Sequence, residues 1–193
     1  VMAALRLARA YTGKDSYVLV EGGYHGLFDA ALWCTPVDSW RAGAGDPHLV
    51  PYSAGVPGML RALVHATPMN DAERLETMFK AYGHEIAAFL IEPIMGNCCS
   101  ISATREYLHA ARALCDRYGI LMIIDEVKTG FRVARGGVQG LFGVKSDLCT
   151  FAKAMGNGYP ISVLAGREDF MRKLGKGVVH GGTFTCHSVA LAA

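Results

Sequence analysis

The sequence predicts an α/β fold in three layers, αβα, with a mostly parallel sheet between two layers of helices. Three observations predict it. Short apolar runs alternate with helical patterns along the chain, as they do where strands and helices are laid down in turn. The runs at 86–91 and 120–124 are apolar at every position, the pattern of strands buried on both faces. The segments between runs are also long enough for the crossovers that parallel neighbours need. A chain of 193 residues is close to the ~150 of a single domain and can bury one sizeable core.

Residues 1–13 read as a helix, because Met2, Leu5, Leu7, Ala8 and Tyr11 form one apolar stripe, Arg6 and Arg9 lie between them, and Gly13 ends the pattern. Residues 17–20 read as a strand. The stretch 34–58 carries Pro36, Gly43, Gly45, Pro47, Pro51, Gly55, Pro57 and Gly58, and is too interrupted for long regular structure; it reads as a surface loop or lid. Asn70, followed by Asp71 and Glu73, starts a capped helix running through Leu75, Met78, Phe79 and Tyr82 to Gly83. Ser102 or Thr104 starts another, through Tyr107, Leu108, Ala111 and Leu114 to Gly119. Residues 1–5 and 189–193 both read as helix without a cap, so the chain is expected to be cut within a helix at each end.

Composition narrows the function classes. Lys and Arg total 19 against 17 for Asp and Glu, a formal net charge of +2, so no strong field favours nucleic acid or an anionic membrane. Hydrophobic residues are 51% of the chain, yet no run approaches the ~20 apolar residues of a membrane helix. That surplus points to doubly covered strands or to faces that a partner covers. Cys34, Cys98, Cys99, Cys115, Cys149 and Cys186 are scattered without a CxxC pair or a metal-type spacing, and read as reduced thiols of a cytoplasmic protein. No GxSxG, GxxxxGK[ST] or HExxH motif is present.

Each main apolar run ends on a charge. Run 86–91 is followed by Glu92, run 120–124 by Asp125 and run 148–152 by Lys153. In an open α/β sheet ligands bind outside the carboxyl ends of the strands, so the three side chains are expected in one site. A lysine partly desolvated at a strand edge is a plausible Schiff-base nucleophile, and a carboxylate beside it can hold a cation. Pyridoxal 5'-phosphate (PLP) needs both: an amine for its aldehyde and a carboxylate that keeps its ring nitrogen protonated. Lys153 is then placed to shuttle a proton between substrate carbons.

At these positions the chain resembles the class III PLP-dependent aminotransferases. The text that carries the resemblance is Asp125-Glu126-Val127-Lys128-Thr129-Gly130-Phe131-Arg132, Gly136-Gly137-Val138-Gln139, Asp147-Leu148 onward to Lys153, and Gly181-Gly182-Thr183-Phe184, with Tyr24-His25-Gly26 and Ile91-Glu92-Pro93. It extends in order over 1–193. It implies most of a fold-type I large domain, the N-terminal segment and C-terminal small domain being absent, and a homodimer with shared active sites. Lys153 resembles the Schiff-base lysine and Asp125 the partner of the pyridine nitrogen. Val127 and Tyr24 resemble the residues on the two ring faces, with His25 beside Tyr24. Glu92 resembles a carboxylate near the cofactor, Asn97 a residue on the substrate side, and Thr183 a ligand of the neighbouring subunit's cofactor phosphate. Lys128 and Arg132 read as local structural residues, with Arg132 near enough to the site to meet a carboxylate.

The implied activity is transfer of an amino group from a small-molecule donor to an oxo acid or aldehyde. Intramolecular amino exchange, as in the family's aminomutases, is the alternative, and a non-catalytic PLP-holding or dimerisation piece is a third reading. The 193-residue piece alone is expected to be inactive. Gly156-Asn157-Gly158, Cys186-His187-Ser188 and Cys98-Cys99 depart from the family pattern and bear on substrate choice rather than on cofactor chemistry.

Overall fold

The computed structural model describes residues 1–34 and 49–192. In chain order its helices are α1 (Met2–Thr12), α2 (Ala72–Tyr82), α3 (Arg105–Tyr118), α4 (Gly137–Phe142), α5 (Glu168–Met171) and α6 (Ser188–Ala192). Its strands are β1 (Ser16–Val20), β2 (Trp33–Cys34), β3 (Val50–Pro51), β4 (Val64–Thr67), β5 (Ile86–Ile91), β6 (Ile94–Met95), β7 (Ile101–Ser102), β8 (Leu121–Asp125), β9 (Leu148–Phe151) and β10 (Val163–Gly166). The main sheet has six strands in the order β10-β9-β8-β5-β1-β4. All neighbours in it are parallel except β10, which runs antiparallel to β9.

Strand pleating divides the core between two faces. Val18, Val20, Phe89, Ile91, Met122 and Ile124 pack with Leu75 and Phe79 of α2 and Leu108 and Ala111 of α3. Their strand neighbours Tyr17, Leu19, Leu90 and Ile123 pack with Ala4, Leu5, Leu7 and Ala8 of α1. Every residue of β1, β5 and β8 is buried, as the continuous apolar runs require. Each Val, Leu, Ile, Phe or Met among them contributes roughly 1.5–3 kcal/mol when taken fully out of water. No helix among the described residues is long and apolar enough to cross a membrane.

The helix ends follow from local chemistry. Within the capping stretch Asn70-Asp71, it is Asp71 that caps α2, accepting the Arg74 N–H at 2.9 Å. Asn70 takes a left-handed backbone, and its amide instead ties Ser102 to Thr104 by donating to the Ser102 carbonyl and accepting the Thr104 N–H. Of the two candidates for α3, Thr104 is the cap, accepting from the Tyr107 N–H at 3.1 Å. Gly13 and Gly119 end α1 and α3 in the left-handed conformation that glycine adopts without strain. The greater part of the lid expected at 34–58 lies outside the described residues. Its base is the short β2–β3 ladder, and a 3-10 turn over Gly58–Leu63 leads into β4.

Candidate active site

The topology sets where the site lies. β4 and β5 flank β1 on opposite sides, so the connections leaving β1 and β5 diverge and leave a crevice at the carboxyl edge of the sheet. Register then aligns the strand ends: Ile91 pairs with Ile124, and Asp125 with Thr150, which places Glu92, Asp125 and the turn after β9 side by side. A cavity of about 210 Å³ opens there. Glu92, Asp125 and Lys153 all line it, with Tyr24, His25 and Val127. Neither Asn97 nor Thr183 lines it, and both are exposed.

Asp125 is the most constrained group. Its Oδ2 lies 2.9 Å from Nδ1 of His25, and its Oδ1 accepts the Val127 N–H at 3.1 Å and the Thr150 hydroxyl at 3.0 Å. Burial works to raise its pKa, but the hydrogen bond and charge of His25, with the Val127 and Thr150 hydrogen bonds, outweigh burial and hold the carboxyl below its usual range. His25 is 3% exposed, and its Nε2 is buried without a partner among the described residues. A buried orphan of that kind marks a place where a polar group is still to be met.

Lys153 follows β9 by two residues and opens a 3-10 turn with φ of 49°. A non-glycine residue held in this left-handed region costs about 1–2 kcal/mol, and such positions gather at functional sites. Its side chain is exposed, so the desolvation expected of it is not present; the chain positions this amine by its backbone instead. Among the described residues Lys153 has no hydrogen-bond or ion-pair partner. It also borders a second, more open cavity of about 420 Å³ that contains Arg132.

Two neighbours exceed what their residue types suggested. Lys128 lines the first cavity, with Nζ 3.0 Å from Oε2 of Glu92. Its only sequence signal was a cation three residues beyond a strand-end carboxylate, with nothing to show that Glu92 would face it. Glu126 is fully buried, accepts the Gln139 N–H at 3.0 Å and the Thr129 hydroxyl, and so fastens the turn after β8 to α4. Val1 also lines the cavity.

A family model described as aminotransferase class-III matches residues 1–193. The chain belongs to the class III aminotransferases. Within that family it is 44% identical over 196 residues to the glutamate-1-semialdehyde 2,1-aminomutase of Caldivirga maquilingensis, a match covering 100% of this chain and 44% of that protein. The Myxococcus xanthus protein of the same name is 40% identical over 195 residues, again covering 44% of its length. Among solved structures, an omega-transaminase from Sphaerobacter thermophilus superposes with a TM-score of 0.89 at 32% identity, covering 98% of this chain and 44% of that one. A transaminase with PLP bound superposes with a TM-score of 0.86 at 28% identity, covering 99% of this chain and 44% of the other. This class III aminotransferase chain thus spans less than half the length of the curated relatives it matches.

Proposed function

We propose that the protein is a PLP-dependent aminotransferase, moving an amino group between a small-molecule donor and an oxo acid or aldehyde, and working as a cytoplasmic homodimer. The observation that carries this reading is a single cavity bordered by an amine without a partner among the described residues and by a buried carboxylate held below its usual pKa range. Class III aminotransferases use PLP, and these groups fit it. Asp125 suits a protonated ring nitrogen, and Lys153 an aldehyde. Tyr24 and Val127 would bound the ring, with His25 and Glu92 beside them; Asn97 would serve the substrate side and Thr183 the phosphate of the neighbouring subunit.

PLP, when bound, supplies an electron sink that makes a substrate carbon acidic. The chain's own residues do the rest. Asp125 presents an acceptor whose charge His25, Thr150 and the Val127 N–H preserve. The Nζ of Lys153, free of other partners among the described residues, takes a proton from the substrate carbon and returns it to another position. Arg132, bordering the wider cavity that Lys153 shares, offers a cation for a substrate carboxylate.

Full-length protein mixed with PLP is expected to develop a visible absorption band and to turn over amino donors, and Lys153→Ala to lose both. Retention of both by the variant would refute the reading. The aminomutase names of relatives at 40–44% identity favour a second reading, intramolecular amino exchange on glutamate-1-semialdehyde. Incubation with that compound and no other oxo acid separates the two, because only the mutase reaction proceeds without a separate acceptor.

A further inference from the structure

We propose that Lys128 is a positioning residue of this site, a clamp that fixes the carboxylate of Glu92, the amide of Asn97 and the ring of Tyr24 relative to one another. The inference rests on reading the cavity as a PLP site. Four separate pieces of chain meet at its ammonium: the loop after β1, the end of β5, the β6–β7 hairpin and the turn after β8. The Nζ lies 3.0 Å from Oε2 of Glu92, donates to Oδ1 of Asn97 at 3.0 Å, and stands 5.2 Å from the centroid of the Tyr24 ring. Glu92 carries the link back, because its Oε1 accepts the Tyr24 N–H at 2.7 Å. Lys128 therefore holds Tyr24 twice, through the face of its ring and through Glu92 to its backbone.

The surroundings are shaped for this lysine. A Cβ on Gly96 would lie 2.4 Å from Cδ of Lys128, so the stem runs directly over Gly96 and would have to shift if that residue carried a side chain. The Gly96 N–H points at the same Glu92 oxygen, 3.4 Å away. The side chains of Glu92 and Lys128 are 3% and 19% exposed, so the pair is screened little by solvent. Lysine only donates, which fixes the Asn97 amide with its oxygen toward Nζ and its NH₂ free to donate elsewhere. Of the two lysines that line the cavity, Lys128 is committed to acceptors and Lys153 is not.

The test uses full-length protein loaded with PLP, read by PLP affinity and by visible circular dichroism of the bound cofactor at saturation. Lys128→Met removes the ammonium and keeps the stem; its PLP dissociation constant is expected to rise about tenfold, the scale of one lost, partly buried charge contact. Its dichroic band should shrink or shift even at saturation, since Tyr24 and Glu92 are no longer fixed, and Lys128→Arg should restore the wild-type band. Gly96→Ala displaces the stem while keeping the charge and is expected to change both readouts in the same direction by less, which decides the matter should Lys128→Met fail to fold. Wild-type affinity and dichroism in Lys128→Met, or in Gly96→Ala where Lys128→Met cannot be prepared, would overturn the clamp. Absence of any visible band in the wild-type protein would instead overturn the PLP reading beneath it.

Discussion

Asp125 and Asp147 are both about 4% exposed and stand at opposite edges of the same sheet, yet their surroundings differ in one decisive respect. Asp147 precedes β9 and is paired with two cations, Arg112 at 2.7 Å and Arg167 at 3.4 Å, while it also accepts the Met122 N–H at 2.7 Å. Asp125 ends β8 and is held by a histidine, a hydroxyl and an N–H, while the nearby amine of Lys153 has no partner among the described residues. Burial of a carboxylate is common to both and identifies neither. What separates a structural carboxylate from a chemical one here is whether the neighbouring cations are already committed.

Asp125→Asn should expose the contrast most strongly. The amide oxygen can still accept the Val127 N–H and the Thr150 hydroxyl, so the unfolding free energy should change by only about 1 kcal/mol. Turnover of full-length enzyme should fall about 10²–10³-fold, about 3–4 kcal/mol of transition-state stabilisation. Equal turnover by variant and wild type would place Asp125 with Asp147 as structure. Asp147→Ala should do the reverse. It leaves Arg112, largely buried, with Asp116 alone as its carboxylate partner and the Met122 N–H without its acceptor, and should cost about 3 kcal/mol in a urea titration. Activity per folded molecule should stay within about twofold of wild type, because no binding energy at the far edge is removed.

The smallest effect is in pH. Because the folded Asp125 carboxyl lies below its usual value, its stabilisation is present above the unfolded value of about 4 and is lost as pH falls through the lower folded one. Thermal unfolding from neutral to acid pH should therefore fall less steeply for Asp125→Asn than for wild type, and equal slopes would contradict the assignment.

The sheet interior and the three strand-end charges were legible because β5 and β8 are apolar at every position, a pattern with few other meanings. β4 and β10 were not. β4 is four residues, interrupted by His65 and preceded by a 3-10 turn, and β10 is an edge strand whose ends are exposed. The His25–Asp125 and Lys128–Glu92 pairs could not be read from spacing, since only the order of strands brings them together. Lys153 shows a subtler gap: its position could be inferred from the end of β9, but not its left-handed backbone or its exposure, which depend on how the following turn packs.

Two lysines border one cavity, and among the described residues only Lys153 is uncommitted and available to react. Loading the full-length protein with PLP, fixing the cofactor's carbonyl carbon to its amine by borohydride reduction and locating the adduct by peptide mass spectrometry tests this directly. The adduct is expected on Lys153 and not on Lys128. An adduct on Lys128, or none at either lysine, would contradict the account.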